Sequence, residues 1–592
     1  MKSLIIDGYV DEPACFGVPP YVSPYVRYCA GVLLSHGYEL KYATCDTWRG
    51  MRGETAEAVA SSDLTLVIMG LTVPGRYRGG SPLTKRELEE IAGLRRRGLL
   101  ILGGPIRHGY AMRGGVSAKR IFPDGIDLLA LGDPEASLDI FCKTGEWTDD
   151  ALMPYDRLDE AAVAGAGVMR LHPSYPNVIA EMELSRGCDR QDSPGIKCSF
   201  CTEGRGGPYQ ERSRAGVAAE VASLYSEGVR AFRLGRCSNI LAWGGERTPH
   251  GYRPNSSRVE ELYRAIREAA PDPRMLHTDN CNPATVARFP DESASCVEAI
   301  AKFNTEGDGL SLGIECLDPA VREANGLKVS LDEAIAAVRL INEAGGARRT
   351  PRSMPSLLPG INFLSGLAGE TKESFLWNRR FLEALLEKGL IVRRINIRRV
   401  MVFPGTELEG LLAANPPRAG ERDYRRWKEW VRREVDPVML ERVAPLGTVT
   451  PGVILEERSG NVIFGRPLGS YPPLIGVASE RHEPGERLDV MVTDWGSRSL
   501  TAVPWPLDIN RCSRTELTAL PGIGKARAEN IASGRPYRSR DDIKRALEAL
   551  DAPGLSEKLL PYFCPSEPES NIRKAPAVAL ALLDDIKGGV GL

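Results

Sequence analysis

The sequence predicts a mixed α/β chain of several domains, in which two parallel sheets are followed by a small all-β barrel and a helical end. Three observations predict it. Apolar runs LIIDGYV (4–10), LTLVIMGL (64–71), LLILGGP (99–105) and IDLLALGDPE (126–135) alternate with helical stretches such as YVRYCAGVLLSHG and TKRELEEIAGLRRRG. Continuous apolar strands separated by helices indicate a parallel sheet covered on both faces. A second series of β–α units begins at VIAEMELSRG and runs without a break to IVRRINIRRVMVF, the pattern of a partial (β/α)6, TIM-like barrel. Near 445 the character changes to short strands with Gly and Pro turns, and after 506 to helices. The expected domains are residues 1–150 (parallel sheet), 170–440 (partial barrel), 445–504 (small antiparallel β-barrel), 505–566 (helical) and 567–592 (tail).

A chain of 592 residues with 26% charged residues and a net charge of −2 is no polycation, so any nucleic-acid contact must come from local patches. No apolar run is long enough to span a bilayer. The start MKSLIIDGYV goes straight into a strand rather than a signal peptide, so a cytoplasmic protein without a membrane partner is expected. Thirteen cysteines there argue against a disulfide framework, and most are scattered singly as buried fillers.

Three thiols are different. RGCDRQDSPGIKCSFC (186–201) places Cys188, Cys198 and Cys201 in one loop with the spacing C-x9-C-x2-C, at the carboxyl end of the second region's first strand, where barrel folds carry chemistry. Structural zinc takes four protein ligands. A fourth would have to come from afar, His172 or Cys237. A [4Fe–4S] cluster on three cysteines leaves one iron open to a small molecule. The insert DRQDSPGIK, with its charges and Pro-Gly turn, reads as a lobe at the barrel mouth. Ligands of the first sheet would sit at its carboxyl end, near Asp7, Gly103, Gly104 and Asp133.

The ordered set of motifs resembles the radical S-adenosylmethionine (SAM) superfamily. The aromatic Phe200 stands just before the last cysteine of the loop. VRAFRLGRCSN, GLSLGIECLDPAVREANGLKVS, GINFLSGLAGETKES and RRVMVFPGTEL look like that family's second, fourth, fifth and sixth strands. The commonest family spacing is C-x3-C-x2-C, so the first gap is lengthened here. The resemblance implies that Cys188, Cys198 and Cys201 hold a [4Fe–4S] cluster and that SAM binds the open iron. One electron from a low-potential donor then cleaves SAM to methionine and a 5′-deoxyadenosyl radical. It places the backbone of Phe200 near the adenine, Gly235 and Arg236 near the methionine amine, and Glu315 near the ribose hydroxyls or amine. Gly366 and Gly369 would lie where backbone approaches SAM, and Arg398 or Arg399 near the methionine carboxylate.

The flanking regions carry looser likenesses. Residues 1–150 resemble the Rossmann-like domain before many such barrels. The GGP turn and GDPE segment look like the cobalamin-binding type, although Asp-x-His-x-x-Gly is absent. Methylthiotransferases are the rival comparison, with Cys15, Cys29 and Cys45 as the thiols available for a second cluster. GRPLGSYPPL and DVMVTDWGSRSL resemble the TRAM RNA-binding barrel, whose phosphate contacts would fall to Arg466, Arg481, Arg487 and Arg498. LPGIGKARAENI resembles a helix-hairpin-helix, which implies phosphate contacts from Gly522, Ile523, Gly524 and Lys525, with Arg527 close by. The expectation is a radical SAM enzyme modifying nucleic acid, tRNA first. DNA repair, a substrate outside nucleic acid and a non-catalytic zinc-stabilised nucleic-acid-binding protein are the alternatives.

Overall fold

The computed structural model describes residues 1–10, 21–70, 81–111, 113–190, 197–203, 207–550 and 553–564. It forms two compact units. The first comprises Met1–Arg349, Pro355–Met439 and Leu468–Tyr471, and the second Thr350–Met354, Leu440–Pro467 and Pro472–Leu592.

The first unit opens with a parallel sheet of β1 (Lys2–Asp7), β2 (Glu39–Thr44), β3 (Leu64–Ile68), β4 (Leu99–Gly103) and β5 (Leu128–Leu129), in the order β2-β1-β3-β4-β5. Strand β2 is absent from the apolar runs because ELKYAT is an edge strand, exposed or half-exposed along most of its length. The chain reverses its direction of winding between β1 and β3, and the crevice for a ligand lies at their carboxyl ends.

The barrel strands are β6 (Ile179–Glu183), β7 (Ala231–Arg236), β8 (Met275–Thr278), β9 (Asp308–Glu315), β10 (Leu357–Ser365) and β11 (Arg394–Arg399). They run parallel in two sheets, β8-β7-β6 and, led by the short Asn280–Cys281, β9-β10-β11. Only Asp279 separates β8 from Asn280, so the two sheets form one curved wall. Two residues of the N-terminal region, Tyr21 and Val22, pair in parallel with Ile179 and Ala180 and extend the β6 edge. Helix α1 (Pro24–Ser35) follows at once, capped by Ser23 and buried from Pro24 to Leu33. One apolar core therefore contains residues of α1, of the first sheet and of the barrel.

Alternation along the strands decides what faces the lumen. Ala180, Met182, Phe232 and Leu234 belong to the outer core. Glu181, Glu183, Arg233 and Gly235 have the opposite parity. Ile179, Ala231 and Met275 pack with Leu468 at the strand starts. Above them Arg233 donates to Glu181 (3.0 Å) and pairs with Asp279, which also accepts from Ser311 (2.7 Å) and Tyr471 (3.2 Å).

In the second unit β12 (Val449–Ser459), β13 (Val462–Arg466), β14 (Leu474–Ala478), β15 (Arg487–Trp495) and β16 (Ser499–Pro504) close a barrel in the order β12-β13-β14-β16-β15. The expected all-antiparallel barrel is corrected at one seam, because β14 and β16 run parallel. The strand after β14 crosses the barrel before the chain returns beside it. Ala478, Met491 and Val503 share a core with Ile509, Leu517, Ile531 and Ile543, so barrel and helices are one body. Among the described residues no helix is long and apolar enough to cross a membrane.

Candidate functional site

The thiol loop leaves β6 through Ser185–Arg186, which pairs antiparallel with Gln210–Glu211 and pinches the loop's base. Asp189 is buried and accepts from Asn239 (2.8 Å) and Asn282 (3.3 Å), fixing the loop to the exits of the next two strands. Between the other two thiols, Ser199 donates through its hydroxyl to Asn325 Oδ1 (2.9 Å) and through its backbone N–H to Asn325 O (3.1 Å). Asn325 also donates to Ala368 O (2.9 Å) and accepts from Ala368 N–H (3.2 Å). One amide thus binds the cysteine loop to the GLAGE turn after β10. Phe200 packs against the cluster of Leu327, Leu367, Ala368 and Val400.

Burial, with Cys198 adding to it, pushes the Cys201 thiol up to about 12, and burial, with Asp189 and the neighbouring thiols adding to it, pushes Cys188 well up too. Three thiolates can exist here only beside compensating positive charge. Among the described residues no three Cys, His, Asp or Glu side chains converge as ligands of one metal ion. A single zinc would draw its thiolates to about 3.8 Å from one another, given Zn–S bonds near 2.3 Å. A cluster takes one thiolate per iron and leaves them wider apart. The distant zinc ligands stay elsewhere. His172 lies against the rings of Tyr9 and Tyr42 (6.4 and 6.1 Å), and Cys237 is a buried partner of Ser185 (3.3 Å).

Glu315 ends β9 in the left-handed region (φ 55°). Its Oε1 is 3.5 Å from Lys328 Nζ, and its Oε2 is buried without a partner. Lys328 stands two residues after Gly326, where a Cβ would meet Lys197 O of the thiol loop at 2.3 Å, so its loop runs beside the cysteines. An unpaired buried carboxylate oxygen fits a ligand's amine or hydroxyls, so the donor set suits both the cluster and SAM. Lys328 was not singled out in the sequence. Its only local signal is a charge in GLKVS, and its meaning comes from the return of that loop to the cysteines.

Other expected residues fall as follows. Gly235 is required by close approach, since a Cβ there would stand 1.9 Å from Glu181 Oε1. Arg236 follows a register shift in β7, stands opposite Glu183 on β6, pairs with its carboxylate (3.3 Å) and stacks on Tyr25 (4.4 Å). Gly366 and Gly369 both have positive φ (92° and 77°), and Glu370 braces the turn by accepting from Ser365 Oγ (2.8 Å) and Gly366 N–H (3.1 Å). The side-chain space at Gly369 is filled by Asn415, so its role is the turn itself. Arg398 shares the inward parity of Asn396 and donates to it (3.4 Å), whereas Arg399 pairs with Glu421.

In the first sheet, burial pushes Asp7 up to about 6 while it accepts from Tyr9 N–H (2.9 Å) and Tyr42 (2.8 Å). Asp133 accepts from Arg186 (2.7 Å) and Met153 N–H (3.0 Å). The reading of a second cluster is corrected in part. Cys29 and Cys45 lie in separate apolar cores, which take alternate residues of β1 and so lie on opposite faces of the sheet. Cys15 and insert positions 191–196 lie outside the described residues.

In the second unit Gly522 has φ 75° and Gly524 caps α3 (Lys525–Ser533). Ile523 is corrected, since its side chain is buried in the core and its N–H donates to Leu520 O (3.1 Å). Arg527 donates to Gly522 O (2.8 Å) and braces the turn, and Lys525 is exposed. Arg466 and Arg481 are paired with Glu456 (3.1 Å) and Glu516 (3.4 Å), which leaves them less free for phosphates.

The barrel, its thiol loop and its glycine turn have the build of a radical SAM domain, and residues 182–382 match the family model of the Radical SAM superfamily. That domain implies a [4Fe–4S] cluster and SAM as cofactors. The chain is 38% identical over 513 residues to "Uncharacterized protein MJ0274" of Methanocaldococcus jannaschii, covering 84% of this chain and 92% of that one. It is 39% identical over 555 residues to an "Uncharacterized protein" of Archaeoglobus fulgidus, covering 92% and 97%. The chain belongs to the family of these archaeal proteins. Among solved structures it is similar to the radical SAM methyltransferase TsrM of Kitasatospora setae with cobalamin and [4Fe–4S] cluster bound. That match has 16% identity and a TM-score of 0.45, and covers 69% of this chain and 76% of that one.

Proposed function

We propose that this chain is a radical SAM enzyme that modifies nucleic acid, with tRNA the first substrate to test. Cys188, Cys198 and Cys201 hold the cluster, whose chemistry is to supply one electron for the reductive cleavage of SAM. Glu315 takes the amine or ribose hydroxyls of SAM, with Lys328 beside it, and Arg398 faces the carboxylate. Changing Glu315 to Gln keeps the shape and removes the charge. We expect SAM affinity in equilibrium dialysis to fall roughly tenfold, the scale of one charged hydrogen bond, with iron content unchanged. Unchanged affinity would remove Glu315 from the site.

The observation that carries the nucleic-acid reading is the start of α3. The first N–H groups of a helix lack intrahelical acceptors, and here no side chain caps them and no acid stands in the first turn. Instead Lys525 and Arg527 stand at the positive end of the helix dipole, an unfavourable placement that an anion relieves. The next helix, α4 (Arg540–Glu548), is closed by a Ser539 capping box with Asp541 and Asp542. A five-stranded barrel in the same unit supports the reading, because such barrels often take oligonucleotides. Cobalamin is the further cofactor to test, at the crevice between β1 and β3.

Residues after 506 share a core with the barrel, so a point change tests the hairpin better than truncation. Lys525→Glu should weaken tRNA binding several-fold and flatten its salt dependence, with SAM cleavage preserved. Equal affinity in the variant would refute the hairpin's role. Mass spectrometry of tRNA nucleosides from cells lacking the chain should show a missing modification. An unchanged profile, or preferential binding of DNA, would turn the reading to DNA repair or to another substrate.

A further inference from the structure

Arg190 stands two residues after the first thiol, at the root of the long insert. One arm of its guanidinium donates to Cys198 Sγ at 3.0 Å, and the other donates to Gly326 O at 3.1 Å. The two loops it joins are in direct contact, since a Cβ on Gly326 would stand 2.3 Å from Lys197 O. The guanidinium is therefore held from a second loop while it touches a sulfur. Asp189, a negative charge beside the thiols, is tied to the amides of Asn239 and Asn282 and faces Cys188. The thiol nearest the positive charge is thus not the thiol nearest the negative one.

We propose that Arg190 sets the reduction potential of the cluster through its hydrogen bond and charge on the Cys198 sulfur. The inference rests on the reading of Cys188, Cys198 and Cys201 as ligands. Reduction adds one electron and takes the cluster from the 2+ to the 1+ state, so electron density on the ligand sulfurs rises. A fixed cation donating to one of them stabilises the reduced state more than the oxidised one and raises the potential. Arginine suits the task because it keeps its charge at every accessible pH and its planar fork serves the sulfur and the carbonyl at once. Arg190 is a positioning residue here and touches no substrate.

The test uses the full chain, reconstituted anaerobically with iron and sulfide, as wild type, Arg190→Gln, Arg190→Lys and Lys197→Gln. Iron is counted and the cluster is titrated with a chemical reductant under electron paramagnetic resonance. Wild type, Arg190→Lys and Lys197→Gln should each hold about four irons. At a fixed poise the reduced-to-oxidised ratio of Arg190→Gln should fall about tenfold, which for one electron moves the midpoint about 59 mV negative. Arg190→Lys should move the same way by less, because it keeps the charge and loses the fork. Lys197→Gln should match wild type, since Lys197 is an exposed neighbour in the same loop. Arg190→Gln titrating like wild type would overturn the proposal, and so would an equal shift in Lys197→Gln. Should Arg190→Gln fail to take up iron, Arg190→Lys decides, and a wild-type midpoint there overturns it. A wild-type chain that takes up no iron would instead remove the ligand reading, a result separate from any potential.

Discussion

Replacing Cys198 with Ala is expected to abolish the cluster and with it all SAM cleavage. Its thiol is one of three in a loop where the buried polar groups are already committed. Asn325 serves Ser199 and Ala368, and Asp189 serves Asn239 and Asn282. Two thiols are too few to hold the cluster, so iron should drop from about four per chain toward none. Cys316 is the matched control. It is fully buried in the apolar cluster against which Phe200 packs, and Cys316→Ala should keep its iron and its SAM cleavage. Iron retained in Cys198→Ala, or lost in Cys316→Ala alone, would remove the loop as the cluster's seat.

The largest effect on stability is expected at Glu220, in the barrel helix α2 (Arg214–Ser226). Its carboxylate receives Arg27 from α1 at 2.7 Å and Arg212 from the barrel, and all three side chains are fully buried. Burial pushes the Glu220 carboxyl up, but Arg212 and Arg27 outweigh it and hold it below the usual range. Glu220→Ala leaves two guanidiniums without their shared anion, and breaking a buried ion pair this way costs roughly 3–5 kcal/mol. Urea unfolding should report the loss as a lower midpoint. The triple change Arg27→Met, Arg212→Met, Glu220→Leu should recover most of it, because a buried triad and an apolar filling are often of similar stability. The sign with pH follows from the depressed carboxyl. The triad's contribution is present above the ordinary value of 4.5 and is lost as pH falls below it. An unchanged midpoint in Glu220→Ala would show that the triad holds nothing.

The buried strands were legible because a strand covered on both faces must be apolar throughout, as at Leu64–Ile68. Strand β2 escaped notice because an edge strand alternates, and the parallel seam of the small barrel because pairing direction is not a local property. The site divides in the same way. Cys188, Cys198 and Cys201 announce themselves by spacing, and Gly366, Gly369 and Gly522 by turns that need positive φ. Arg190, Lys328 and Asn325 do not, because each matters through a partner loop far along the chain. Ile523 misled because a motif names a stretch, while core packing decides which of its groups are free.

The pairing of Tyr21 and Val22 with Ile179 and Ala180 bears on how this chain can be rearranged. A cut between the predicted domains, near 150–170, would look harmless on a linear map. It would strip the β6 edge of its neighbour and leave backbone donors and acceptors bare at the strand that leads into Cys188. The N-terminal region is therefore not interchangeable cargo. A chimera that grafts another leader onto this barrel would have to carry residues 21–35 along with it, and a library of shortened chains should show soluble protein only where that segment is retained.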